Sequence, residues 1–328
     1  MIITKTPLRV SFAGGGTDLP EFYENHSYGA VVSATIDKYV YIAIHPDFDG
    51  KFQLKYSQSE NTADPAEIRH PLIRESLLHC GPVTPLEITS FADIPSRGGS
   101  GLGSSSAFCV GLIHALAVFQ NRYLSGARIA EMACEVELKR LAEPIGRQDQ
   151  YAVACGGLNF LRFNAGGSVF VERIGLPPQE LERLSSQLII FYTGVTRDAR
   201  SILNEQRTNT AAVASKQQTL LRMRDLAEAV RQAFQEGDFE AVGKMMHEGW
   251  LLKRELASGI TNPDLDRYYE LARAAGATGG RILGAGGGGF FLFHVSPERR
   301  GAVRDALADL REFPFRFDAQ GTRIALID

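Results

Sequence analysis

A glycine-rich stretch that feeds an apolar segment constrains this chain more than any other feature. Residues 95–107 read Pro-Ser-Arg-Gly-Gly-Ser-Gly-Leu-Gly-Ser-Ser-Ser-Ala, and Phe108 to Phe119 continue as a run too apolar for an exposed helix. Glycines 98, 99, 101 and 103 free the backbone for positive φ and for close approach to a ligand. A glycine loop entering a helix N-terminus aims several N–H groups at one spot, where the helix dipole also favours negative charge. The stretch therefore reads as a phosphate cradle. A flexible linker would not run straight into a buried helix.

Two common phosphate loops are excluded. Gly98 to Gly103 has the frame of Gly-x-x-x-x-Gly-Lys-Ser/Thr, but Ser104 stands where the lysine belongs. The dinucleotide fingerprint fails too, because Gly99 and Gly101 are followed by Ser104 instead of a third glycine. Gly284, Gly286 and Gly289 satisfy Gly-x-Gly-x-x-Gly literally, yet the strand-like Phe290-Phe291-Leu292-Phe293 follows where a helix is required.

Composition narrows the remaining classes. The 328 residues suffice for two domains with ample core, and 44% hydrophobic residues is ordinary for a globular chain. A net charge of −3 gives no reason to expect nucleic acid or an anionic membrane surface, so an anionic substrate needs a local basic site. The N-terminus lacks the apolar core of a signal peptide, and Phe108 to Phe119 is too short to span a bilayer. Cysteines 80, 109, 134 and 155 show no Cys-x-x-Cys spacing and read as reduced core residues of a cytoplasmic protein.

Along the chain, Leu8 to Ala13 reads as a strand ending in Gly14-Gly15-Gly16-Thr17-Asp18. Val31 to His45 and Gly50 to Tyr56 read as further strands, with Asp37-Lys38-Tyr39 as a turn. Ala66 to Cys80 is helical in pattern, and Leu86 to Phe91 is a strand leading into the glycine loop. On a helix from Ser125 to Ala142, Glu137 aligns with Ala130, Ala133 and Leu141, while Glu135 and Lys139 form an exposed i,i+4 pair. A carboxylate on such a stripe is costly unless something positive meets it, either an arginine or a metal ion. Asp149 follows, held between Gln148 and Gln150 at a helix end. Two prolines near Ile174 to Pro178 suggest a domain boundary, giving domains 1–175 and 176–328. Beyond it lie helices over Ser201 to Glu236, Phe239 to Ser258 and Pro263 to Ala275, where His247 and Trp250 read as packing residues. Arg197 and Arg200, at a strand-to-helix turn, are candidates to hold an anion.

The core Gly101-Leu102-Gly103-Ser104-Ser105 resembles the phosphate loop of the GHMP kinases (galacto-, homoserine, mevalonate and phosphomevalonate kinases), and the other motifs follow in that family's order. The resemblance implies an N-terminal α/β domain like ribosomal protein S5 domain 2, with a left-handed βαβ crossover, and a C-terminal ferredoxin-like α+β domain. It implies an ATP- and Mg²⁺-dependent kinase whose loop of Ser96, Gly98, Gly99, Ser100, Gly101, Leu102, Gly103, Ser104, Ser105 and Ser106 wraps the phosphates. Ser105 and Glu137 would hold the metal, and Asp149 would face the attacked hydroxyl beside Arg9. Gly14, Gly15, Gly16, Thr17 and Asp18, with Arg197, Arg200, Gly286 and Gly287, would meet the acceptor.

Galactokinases carry Gly-Glu-His-x-Asp in the first loop, so Gly14-Gly15-Gly16-Thr17-Asp18 argues against galactose. Gly-Gly-Gly-Thr-Asp-Leu-Pro and Gly-Arg-Gln-Asp-Gln-Tyr most resemble members that phosphorylate the anomeric hydroxyl of D-glycero-D-manno-heptose 7-phosphate, on the way to nucleotide-activated heptose for bacterial surface polysaccharide. An L-fucokinase-like sugar-1-kinase and a non-catalytic nucleotide-binding relative are the alternatives. The implied partner is a small sugar phosphate, with no nucleic acid or membrane, and the oligomeric state is left open.

Overall fold

The computed structural model describes residues 1–94, 100–195 and 199–328. The chain opens with β1 (Ile2–Ala13), the short α1 (Pro20–Tyr23) and the long β2 (Tyr28–Pro46), which pairs with β1 along its length. Asp37 and Lys38 do not form the expected turn. Pro7 pairs with Tyr39 and Leu8 with Ile36, so the two residues are a bulge inside a continuous strand. The bulge is held from outside, because Asp37 N donates to the Arg316 carbonyl at 2.8 Å and Arg316 N to Asp37 Oδ1 at 2.8 Å.

β3 (Phe52–Lys55), β4 (Ser59–Thr62) and β5 (Leu86–Ala92) extend the sheet beyond β2, with β3 parallel to β5. The helix expected over Ala66 to Cys80 is split into a 3₁₀ turn, Pro65–Glu67, and α2 (Pro71–Cys80). Pro71 has no N–H and disfavours a helical residue before it, so α2 begins at the proline. α3 (Ser104–Phe119) lies on β1 and β2, and Thr4 Oγ1 donates to the Gly111 carbonyl at 3.0 Å. That contact fixes where the N-terminus of α3 points.

The helix expected from Ser125 to Ala142 is α4 (Gly126–Cys134) followed by a π-helical turn, Glu135–Arg140. Glu135 pairs with His79 of α2 at 3.1 Å instead of with Lys139, because the wider turn rotates the later residues away from α spacing. Asp149 falls in the first turn of α5 (Gln148–Cys155), where an acid suits the helix dipole. β6 (Leu158–Asn164) then pairs with β2, and β7 (Val169–Arg173) with β6.

After α6 (Pro178–Ser186) come β8 (Leu188–Tyr192), α7 (Ala199–Ala212), α8 (Ala214–Glu236), α9 (Phe239–Arg254) and α10 (Pro263–Ala274). β9 (Ala277–Ile282), β10 (Phe290–Val295), α11 (Arg300–Ala306) and β11 (Arg311–Glu312) complete an antiparallel sheet ordered β11-β8-β10-β9. That is the strand order of a ferredoxin-like unit, as expected. β12 (Arg323–Ile327) returns to pair with β1, so the first sheet contains both ends of the chain. Trp250 is fully buried against Tyr269 and Phe291, and His247 bonds the Tyr269 hydroxyl, as packing residues should.

Candidate active site

Gly103 caps α3 in the left-handed conformation, with φ of 76°, and contributes no side chain to the helix end. The first-turn N–H groups of Ser104 to Ser106 are therefore left for an external acceptor. Ser100 Oγ receives Leu102 N at 3.2 Å and lies 3.3 Å from Ser104 Oγ, which folds the loop back on the helix. Ser96, Gly98 and Gly99 lie outside the described residues, as does Arg197.

The loop between β9 and β10 packs backbone to backbone on this one. A Cβ on Gly101, at φ of +77°, would stand 2.3 Å from the Leu283 carbonyl oxygen, and one on Gly284 would stand 2.4 Å from Gly101 Cα. Only glycines permit that approach. Two adjoining clefts result, sharing Arg9, Asp149, Gly284 and Ala285. One cleft is lined by Ser100, Gly101 and Gly103 to Ser106 with Glu137, and the other by Gly15, Gly16, Asp18 and Gln148.

At the junction, Arg9 holds Asp149 with two parallel bonds, Nε to Oδ1 and Nη2 to Oδ2, both 2.8 Å. Arg9 is 3% exposed and also donates to the Gly101 carbonyl, which ties the pair to the loop. Such a fork fixes the carboxylate in direction as well as in place. Glu137 is 1% exposed; it accepts from Gln150 Nε2 at 2.6 Å and from Ser105 Oγ at 3.2 Å. Burial pushes its carboxyl up to about 7, the hydrogen bonds from Gln150, Ser106 and Ser105 opposing this and the nearby Asp149 charge adding to it. No arginine meets Glu137 among the described residues.

The structure separates the residues of the first glycine loop. Asp18 is buried in the second cleft, accepting from Gly16 N at 2.9 Å, Gln148 N at 3.1 Å and Gln148 Nε2 at 3.2 Å. Burial raises its carboxyl above the ordinary range, against the backbone bonds from Gly16 and Gln148. Gly15 and Gly16 face the cleft. Thr17 faces inward instead: its hydroxyl accepts from Ala30 N at 2.9 Å and lies 2.8 Å from the Gly14 and Ala30 carbonyls. Gly14 packs on β2 in the same way. Gly286 lines the first cleft, whereas Gly287 N donates to the Ile260 carbonyl at 2.8 Å. Arg200 also lies at the first cleft, 3.6 Å from Glu143.

Sequence reasoning missed Lys253 on α9 and Arg281 on β9, both buried cations at the second cleft. Lys253 carried a readable signal, since it is in register with Met246 and Trp250 on the apolar stripe of α9. It also missed Gln148 and Gln150, whose amides orient Asp18 and Glu137.

The GHMP kinases N terminal domain family matches residues 70–157, and the GHMP kinases C terminal family matches residues 230–311. A D-glycero-alpha-D-manno-heptose 7-phosphate kinase from Campylobacter jejuni is 29% identical over 98% of each chain. A bifunctional fucokinase/GDP-fucose pyrophosphorylase from Arabidopsis thaliana is 28% identical over 94% of this chain and 31% of its own length. Among solved structures, a D-glycero-D-manno-heptose 1-phosphate kinase from Bacteroides thetaiotaomicron superposes with a TM-score of 0.81 at 24% identity, covering both chains fully. The two family matches fall in order and together take in just over half of the chain, and the fold and glycine loops agree with them: the chain belongs to the GHMP kinase family and is a kinase that phosphorylates a hydroxyl group.

Proposed function

We propose that this kinase transfers the γ-phosphoryl group of ATP to the anomeric C1 hydroxyl of D-glycero-D-manno-heptose 7-phosphate. The observation that carries the reading is the Arg9–Asp149 fork at the junction of the two clefts. The first cleft, with the bare N-terminus of α3, suits a polyphosphate. The second, lined by Gly15, Gly16, Asp18 and Gln148, suits a polyhydroxy acceptor. Similarity over nearly the whole chain to a heptose 7-phosphate kinase supports this choice of acceptor.

In this reading Asp149 orients the C1 hydroxyl and takes its proton as the oxygen bonds to the γ-phosphorus. The bond from phosphorus to the bridging oxygen breaks, and ADP leaves. Such a transfer depends mainly on positioning and charge neutralisation. Arg9 keeps Asp149 aimed and, through the Gly101 carbonyl, couples its position to the loop. Glu137 and Ser105 fit a Mg²⁺ ion: they offer a buried carboxylate, with no cation paired to it among the described residues, and an adjacent hydroxyl, and Mg²⁺ usually takes one or two protein oxygens with phosphate and water completing the shell. When bound, the ion would neutralise charge on the β- and γ-phosphates.

The test is turnover with ATP and Mg²⁺ on a panel of sugars and sugar phosphates, with the phosphorylated position read by NMR. The heptose 7-phosphate should give the 1,7-bisphosphate. Preferred turnover of an unphosphorylated 6-deoxyhexose would replace the reading with the fucokinase-like one, which the Arabidopsis relative favours.

A further inference from the structure

Lys253 and Arg281 sit together at the second cleft, 4% and 1% exposed. Among the described residues neither forms an ion pair; each has only a backbone carbonyl. Lys253 Nζ donates to the Gly284 carbonyl, and Arg281 Nη1 donates to the Phe12 carbonyl at 3.1 Å. Among the described residues, Arg281 Nε is buried without a hydrogen-bond partner, and the Nε–Nη2 edge of the guanidinium, its bidentate edge, has no acceptor.

Two adjacent buried cations are costly unless an anion meets them. Burial, then repulsion of its charge by Arg281 and by Arg9, pulls Lys253 well below its usual range against the opposing charges of Asp18 and Asp149, and burial with repulsion by Arg9 pulls Arg281 down to about 10. The neighbouring Asp18 is already engaged by three N–H donors. Gly15 completes the arrangement. A Cβ there would stand 3.4 Å from Arg281 Nη2 and 3.5 Å from Gln148 Nε2, so a longer side chain would enter the space that both groups face.

We propose that Arg281 and Lys253 form the subsite for the phosphate monoester at the far end of the acceptor, and that Gly15 keeps the subsite open. The Nε–Nη2 edge takes two phosphate oxygens and Lys253 the third, a division that a carboxylate, with two oxygens, would not complete. This rests on the reading of the second cleft as the acceptor site. It places selection for a phosphorylated sugar on α9, β9 and the first glycine loop, and assigns Arg200 of the first cleft no part in it.

The experiment measures dissociation constants by calorimetry with ADP saturating, for heptose 7-phosphate, the same heptose without phosphate, and inorganic phosphate. The proteins are wild type, Arg281→Gln, and Gly15→Glu, which keeps both cations and adds a carboxylate beside Arg281. Melting curves check that each variant is folded. Charge-assisted bonds of this kind correspond to about 10–100-fold in affinity each. Both variants should weaken heptose 7-phosphate and inorganic phosphate by that factor or more, and Arg281→Gln should weaken the unphosphorylated heptose by less than those two ligands. Equal weakening of both sugars by Arg281→Gln, or inorganic phosphate bound equally by wild type and variants, overturns the subsite. So does a wild type that binds neither phosphate ligand. Failure of the proposed acceptor is read separately: no turnover of heptose 7-phosphate, with phosphate binding still lost in both variants, refutes the heptose and leaves the anion subsite standing.

Discussion

Glu137→Gln separates a metal ligand from a structural acid, because the two roles predict opposite changes in stability. Glu137 is enclosed, with Gln150 Nε2 at 2.6 Å and Ser105 Oγ at 3.2 Å. A glutamine can keep both bonds by turning its oxygen to Gln150 and its NH₂ to Ser105, whose hydroxyl also accepts. What the variant loses is the charge. The folded carboxyl is pushed from its ordinary 4.5 to about 7, so its contribution to stability is fully present below 4.5 and falls as the pH rises through 7. At 1.36 kcal/mol per pKa unit, the ligand-free enzyme gives up about 3 kcal/mol between those limits. Glu137→Gln should therefore match wild type near pH 4.5 and exceed it by up to about 3 kcal/mol at pH 8. It should also need about 10–100-fold more Mg²⁺ for half-maximal turnover, the expected cost of one charged ligand. Urea unfolding without nucleotide at both pH values, with Mg²⁺ titrations of turnover, measures both quantities. A variant less stable than wild type at pH 8 with an unchanged Mg²⁺ requirement refutes the reasoning and makes Glu137 a structural residue.

Asp149→Asn should lower kcat by about 10²–10⁴-fold while ATP affinity stays within a few-fold, because in the proposed function the carboxylate meets the acceptor hydroxyl and not the nucleotide; near-normal turnover would remove Asp149 from the mechanism. Gly101→Ala should destabilise the protein more than Gly50→Ala does, since both have positive φ but only Gly101 would drive a Cβ to 2.3 Å from a carbonyl oxygen. Equal melting shifts would show that the two glycine loops do not need their close approach. Burial holds His294 down at about 4, below its ordinary 6.5, so the stability it contributes above 6.5 is lost as the pH falls through 4. In urea unfolding, wild type should lose about 3 kcal/mol more than His294→Gln over that range, and parallel pH profiles would contradict the assignment.

How much of this was legible in the sequence depends on how local each signal is. The glycine loop, the bare start of α3 and the core-facing Glu137 are visible because each needs only neighbours a few residues away. The α spacing that aligned Glu137 with Ala130 and Ala133 held because the π-helical turn starts only at Glu135; it misassigned Glu135, whose partner is His79 on another helix. The bulge at Asp37 was read as a turn for the same reason, since its backbone partner is Arg316, near the other end of the chain.

The missed cations divide along this line as well. Lys253 lies in register with Met246 and Trp250, buried like them, so the stripe test that exposed Glu137 would have exposed it on α9. Arg281 gives no such signal. β9 is buried along nearly its whole length, so it shows no alternation of polar and apolar residues against which a charge would stand out. Its meaning arises only when the fold brings it to the Phe12 carbonyl at the end of β1 and to the space beside Gly15. A chemically informative residue on a strand buried on both faces is thus identified by the partners the fold denies it, and Arg281 Nε, enclosed and without an acceptor among the described residues, is that kind of observation.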